Sequence, residues 1–302
     1  GKIYREVIKS SAPITAVRFL SSLVQPIIAL IIPARLMAAG YTASQAMSIF
    51  GIAIGMTLPL LFIPITLVGS ISTALIPDIS AAVSNEDDKH VNNRISSSII
   101  ITMFIAFFMI PLFIGAGENI GTFFFGNTTS GALLASAAWI VLPMALTNIT
   151  SSMLNALGME VKSFVNYLVG SVFLFLSIWF LPSVIGIRAL IVGMGTCVSI
   201  TSILNIWMIK RKTKIKLNIL KPFVLMALFT IPSAAITFFT TNLLTDVIPL
   251  FFNLAISCIF GAAMFLILCS IFNLINVKAM FVEAKKIKIK KLNFKKFKKK
   301  AK

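Results

Sequence analysis

The sequence predicts an all-α, polytopic membrane helical bundle of eight spans, and three observations predict it. Hydrophobic residues make up 58% of the 302-residue chain and charged residues 12%, with a mean hydropathy of +0.98. Soluble domains run nearer roughly 45–50% apolar and about 25% charged. The charges also crowd into short runs, leaving 19–34, 36–77, 95–117, 119–159, 163–187, 189–209, 222–245 and 247–277 free of any. A helix needs about 20 mostly apolar residues to cross a bilayer. Lastly, outside the spans Lys and Arg occupy alternate loops only.

The apolar stretches place spans at about 12–37, 46–77, 95–115, 131–156, 163–181, 186–209, 222–243 and 249–273. Span one contains Arg18, which either snorkels to the headgroups or faces a cavity. Gln25-Pro26 sits at its midpoint; a proline-broken helix there can line an aqueous path, and a packed proline kink is the alternative. Arg35 ends the span as an interfacial anchor. Span two is long and carries Pro59 and Pro64, so a kinked or tilted helix is expected. Gly51 and Gly55 within it form a small-xxx-small face suited to close helix approach. Asp78, after Pro77, reads as a helix-end or loop-pairing residue. Residues 116–130 read as a short interfacial segment, Phe123 to Phe125 dipping into the headgroups. In span four, Asn148, Ser151, Ser152 and Asn155 recur at helical spacing on one face, fit either for interhelical hydrogen bonds or for a hydrophilic path. Arg188, opening span six from outside, reads like Asp78 as a helix-end or loop-pairing residue.

Lys2, Arg5 and Lys9, then Lys89 and Arg94, Lys162, the cluster from Lys210 to Lys221 and twelve lysines from Lys278 to Lys302 all fall on one side. Loops 38–45, 116–130, 182–185 and 244–248 hold neither Lys nor Arg. The positive-inside rule therefore predicts that both termini of this segment are cytoplasmic, in a multi-pass protein expected in the cytoplasmic membrane. The formal charge of +18 is not that of a nucleic-acid surface, which spreads its basic residues over a wet face. The tail instead fits anionic lipid, each lysine contributing about 1 kcal/mol near an anionic leaflet.

Cys197, Cys258 and Cys269 lie inside spans and read as small apolar residues, Cys258 and Cys269 being about 16 Å apart along one helix. No Cys/His cluster, Walker-type loop, catalytic triad or intramembrane carboxylate pair is present, so neither an enzyme nor a cofactor is expected. The first apolar stretch does not fit a cleavable signal peptide, because Arg18 interrupts it.

The run from Ser21-Ser-Leu-Val-Gln-Pro26 to Leu75-Ile-Pro-Asp-Ile-Ser80, with Ile32-Pro-Ala-Arg-Leu36, Ala39-Gly40, Gln45-Ala46, Phe50-Gly51, Gly55-Met56 and Pro59-Leu-Leu-Phe62, resembles the polysaccharide-transporter branch of the multidrug/oligosaccharidyl-lipid/polysaccharide flippase superfamily, including its stage V sporulation group. Leu154-Asn-Ala-Leu-Gly158 and Gly186 to Gly193 resemble later spans of that family more loosely. The resemblance implies a fourteen-span protein of two six-helix lobes plus two extra helices. Residues 1–210 would be the second lobe, 211–273 a basic loop and the extra pair, and 274–302 a polybasic tail. An N-terminal lobe is then missing, in keeping with a chain that begins at Gly1. It further implies ATP-independent flipping of a polyprenyl-linked saccharide by alternating access, in spore cortex assembly at the cytoplasmic or forespore membrane. On that reading Arg18 and Arg35 meet the diphosphate, while Gln25, Asn148 and Asn155 line the sugar path. Asp78 stands where the family's Pro-x-Ile-Ser motif favours a small residue. Two rivals remain open: an ion-coupled drug antiporter of the same fold, and a scaffold recruiting cell-wall enzymes through the tail. Oligomeric state is left open.

Overall fold

Apolar segments in lipid must satisfy every backbone amide internally, and every regular element among the described residues is helical. The computed structural model describes residues 2–214, 218–245, 247–272 and 274, with 2–14, 16 and 17 as backbone only. The polybasic tail lies outside the described residues. The helices are α1 (Lys2–Ala38), α2 (Ala43–Ser84), α3 (Asp88–Phe125), α4 (Thr128–Ala156), α5 (Glu160–Phe180), α6 (Arg188–Thr213), α7 (Leu220–Leu244) and α8 (Leu250–Ile271). Each is long and apolar enough to cross a membrane, α1 over its segment Arg18–Ala38. The eight expected spans are all present.

Local chemistry sets most helix ends. Thr42 and Gln45 form a reciprocal capping box at the start of α2. Asp87 Oδ1 accepts from the His90 amide at the start of α3, and Asn127 Oδ1 from the Ser130 amide at the start of α4. Between α3 and α4 only Gly126 and Asn127 intervene, Gly126 turning the chain at φ +62°. Residues 116–125 are therefore not a separate interfacial segment. They are the last turns of α3, which at 38 residues reaches about 57 Å. Phe123, Phe124 and Phe125 are nonetheless exposed at its tip.

Two proline expectations resolve differently. Before Pro59, α2 relaxes into a π-helical turn over Ala53–Thr57, one extra residue absorbing the backbone group that proline cannot bond. The turn lets buried Thr57 donate to the Ser130 carbonyl of α4 at 3.1 Å. Pro26, by contrast, does not break α1, which runs unbroken from Lys2 to Ala38.

Each of the first six helices has its place in a chain of neighbours: α1 packs on α5, α5 on α6, α6 on α4, and α4 on α2 and α3. Helices α7 and α8 pack on each other and on α3, so α3 is the central post. It supplies glycine notches to both sides. A Cβ on Gly121 would collide with the backbone of Gly131 in α4, and one on Gly117 would meet Ala135 at 2.9 Å. Thr237 of α7 wedges between Gly115 of α3 and Gly261 of α8. Rings of Phe104 and Phe108 lie 5.9 and 6.2 Å from Phe265 of α8, and Phe107 lies 5.5 Å from Phe223 of α7. The glycines singled out in the sequence, Gly51 and Gly55, have nothing near enough to meet an added Cβ. The close-contact pair is Gly117 and Gly121, in the segment that sequence reasoning placed outside the span.

Overpacking a closed helix contact costs about 1–3 kcal/mol or more, whereas an open glycine has room. Gly121→Val is expected to lower the thermal midpoint in detergent by several degrees and Gly51→Ala to leave it unchanged, as read by intrinsic fluorescence or aggregation on heating.

Candidate functional site

The sequence-predicted residues fall into separate places. On α1, Val24, Ile28, Ile32 and Leu36 form the buried ridge at four-residue spacing, while Arg18, Ser22 and Gln25 lie on an exposed face. Arg18 pairs with Glu160 at the start of α5 and sits 5.5 Å over the Phe164 ring. It is thus level with the α4–α5 loop and marks the beginning of the apolar segment, not a point well inside it. Arg35 donates from Nε to the Trp179 carbonyl at 2.8 Å and stacks 5.0 Å over that indole. It satisfies an orphan carbonyl in the last turn of α5, where a cation also complements the helix dipole. Arg35 is thus tied to the end of α5.

Helices α1 and α5 run parallel, with one arginine clamping each end of α5. Seventeen residues of helix separate the two arginines, about 26 Å of rise, close to the roughly 30 Å hydrocarbon thickness of a bilayer. One diphosphate does not reach both at once.

The stripe on α4 divides. The Asn148 Oδ1 accepts from Ser72 of α2 at 2.9 Å. Ser151 accepts from the Asn205 amide of α6 at 3.1 Å, while the Ser152 hydroxyl bonds back to the Asn148 carbonyl of its own helix. Asn155 is exposed. Behind the stripe lies a buried amide network that sequence reasoning missed. The Asn166 amide of α5 donates to Asn205 Oδ1 at 2.8 Å, and Asn205 Nδ2 reaches Thr150 Oγ1 at 3.2 Å. Asn205 is fully buried and Asn166 nearly so. An isolated Asn in each apolar run was the available signal, since buried amides in lipid need partners. Nothing in one dimension paired them.

The cavity lies elsewhere. Between α2 and α3, toward the end carrying the basic loops, a space of about 570 Å³ is lined by Ser70, Ile71, Ala74, Leu75, Asp78, Arg94, Ser97, Ser98 and Ile101. Asp78 Oδ2 accepts from Arg94 Nε at 2.8 Å, and Asp78 Oδ1 lies 3.3 Å from His90 Nε2. The expected pairing role of Asp78 is met, and it falls on a cavity wall. The register was visible in principle: Asp78 and Arg94 sit at equal distances from the facing ends Ser84 and Asp88 of an antiparallel helix pair. Chemically the wall offers hydroxyls, one guanidinium held by one carboxylate, and an apolar flank. That combination suits an amphipathic ligand carrying an anionic group.

Interhelical hydrogen bonds in membranes average about 0.6 kcal/mol with a maximum near 1.7. Asn205→Ala removes three at once and leaves the buried Asn166 amide only its weak contact to Met208 Sδ at 3.4 Å. The variant is expected to lose about 1–3 kcal/mol of stability, measured by detergent or steric-trap unfolding, while the exposed Arg18→Ala change costs under about 1 kcal/mol.

Comparison of the chain with family models, with curated proteins and with solved structures finds no match.

Proposed function

We propose that this multi-pass membrane protein forms part of a transporter that flips a polyprenyl-linked saccharide by alternating access, the observation carrying this being the amphipathic cavity between α2 and α3. An isoprenoid chain needs an apolar flank, which Ile71, Ala74, Leu75 and Ile101 provide. A diphosphate needs a bidentate cation, and Arg94 presents a guanidinium there. A saccharide needs hydroxyl partners, and Ser70, Ser97 and Ser98 line the same space. The exposed residues Arg18 and Gln25 on α1 and Asn155 on α4 lie outside that cavity and belong to the proposed hydrophilic route. Asn148 serves that route by fixing α2 against α4. The cytoplasmic orientation of the basic loops, pairing with a second lobe, the anionic lipid contact of the tail and a role in spore cortex assembly belong to this reading.

Asp78 favours one rival, an ion-coupled antiporter of organic cations, because such a transporter needs a carboxylate in its cavity. The two readings predict opposite effects of the same substitution. With a photoactivatable polyprenyl-diphosphate saccharide as probe, Arg94→Gln is expected to lower crosslinking to α2 and α3 at least about tenfold, the loss of one charge-assisted hydrogen bond. Asp78→Asn is expected to raise it a few-fold by freeing Arg94 and removing a like charge. Crosslinking that ignores Arg94→Gln, or organic-cation binding abolished by Asp78→Asn, points to the antiporter.

A further inference from the structure

A second cavity lies at the basic end, between the start of α5 and the end of α6. It holds about 420 Å³ and is lined by Met159, Lys162, Trp207, Met208, Arg211 and Lys212. Its three cations are exposed, and none of them makes an ion pair with a carboxylate among the described residues. The nearest acid in sequence, Glu160, is engaged by Arg18. Like charges gathered without a counter-charge repel one another, so the arrangement is stabilised by an anion.

Three features point to the anion's source. The cavity sits where two apolar spans end, the depth at which lipid phosphates lie. Trp207 is half exposed and carries Arg211 stacked 5.5 Å over its ring, and an indole with one apolar and one wet side belongs to the membrane interface. A guanidinium held over an aromatic face can still offer its edge N–H groups to phosphate oxygens. Met159 and Met208 add adaptable apolar surface beside the cations, suited to a glycerol backbone and the first methylenes of acyl chains. A soluble phosphate has no use for that surface.

We infer that Lys162, Arg211 and Lys212, with Trp207, form a binding site for the headgroup of an anionic phospholipid at the α5–α6 seam. The site is independent of the α2–α3 cavity and of whatever substrate that cavity takes. It ties the end of α6 to the start of α5 through the lipid, at the point where α6 leaves for the basic loop before α7.

The test uses the full chain with Trp139→Phe and Trp179→Phe, leaving Trp207 as the reporter, reconstituted in phosphatidylcholine vesicles. Dibrominated phosphatidylglycerol at low mole fraction quenches fluorescence only when it dwells at the indole. Quenching is expected at several-fold lower mole fraction than with dibrominated phosphatidylcholine. The Lys162→Gln/Arg211→Gln/Lys212→Gln triple variant is expected to weaken that preference at least about tenfold, with helical content by circular dichroism unchanged. Because the variant keeps the polybasic tail, a preference that persists in it assigns the lipid to the tail and overturns the site. Equal quenching by both brominated lipids overturns it as well. Loss of quenching on adding millimolar inorganic phosphate at constant ionic strength marks a soluble-anion site and overturns the lipid assignment. Should the double Trp background unfold, Trp207→Phe in the native chain, read as the fraction of selective quenching lost, gives the same comparison.

Discussion

Helix against helix in lipid has no hydrophobic effect to drive it, because acyl chains are as apolar as leucine. Close backbone approach must supply the contact energy instead, and in this bundle it does so along α3. Gly117 and Gly121 bring α4 against one side of that helix, and Gly115 receives Thr237 of α7 on another. The phenylalanine rings of α3 then meet those of α7 and α8 around these notches. The position of α4 fixes the hydroxyl and amide contacts to α2 and α6, and so the rest of the bundle follows from one glycine-lined helix.

Polar groups divide into two kinds of use. The network of Thr150, Ser151, Asn166 and Asn205 is satisfied within the protein and holds α4, α5 and α6 in one rotational setting. The Asp78–Arg94 pair is partly exposed and the cations of the α5–α6 seam are exposed, and both face open space. The first kind is structural cement; the second is available to ligands. Arg18 and Arg35 belong between them, since each is engaged by one end of α5.

The arginine pair also shows how a sequence reading can place a residue well in register and still misjudge its depth. Arg18 lies several residues into an apolar run that begins at Ala12, and counting from there puts it inside the membrane. The helix in fact continues from Lys2, and Glu160 meets Arg18 from the neighbouring helix. The apolar layer starts where that pair sits. Residues 116–125 illustrate the converse. A glutamate and two glycines resemble a loop in sequence, yet those glycines, Gly117 and Gly121, are what lets α3 and α4 touch.

The sequence by itself determined the helical class, the eight spans and the alternation of basic loops, because hydrophobic length and charge position are one-dimensional properties set by the bilayer's thickness and polarity. It also carried the capping residues Thr42, Asp87 and Asn127, whose partners lie three residues away. Which polar side chain meets which was decided only by the tertiary structure. Asn205 with Asn166, Arg35 with the Trp179 carbonyl and Arg94 with Asp78 each depend on how far a helix is rotated about its own axis. That rotation is set by small residues on the facing helix, and no property of a single span contains it.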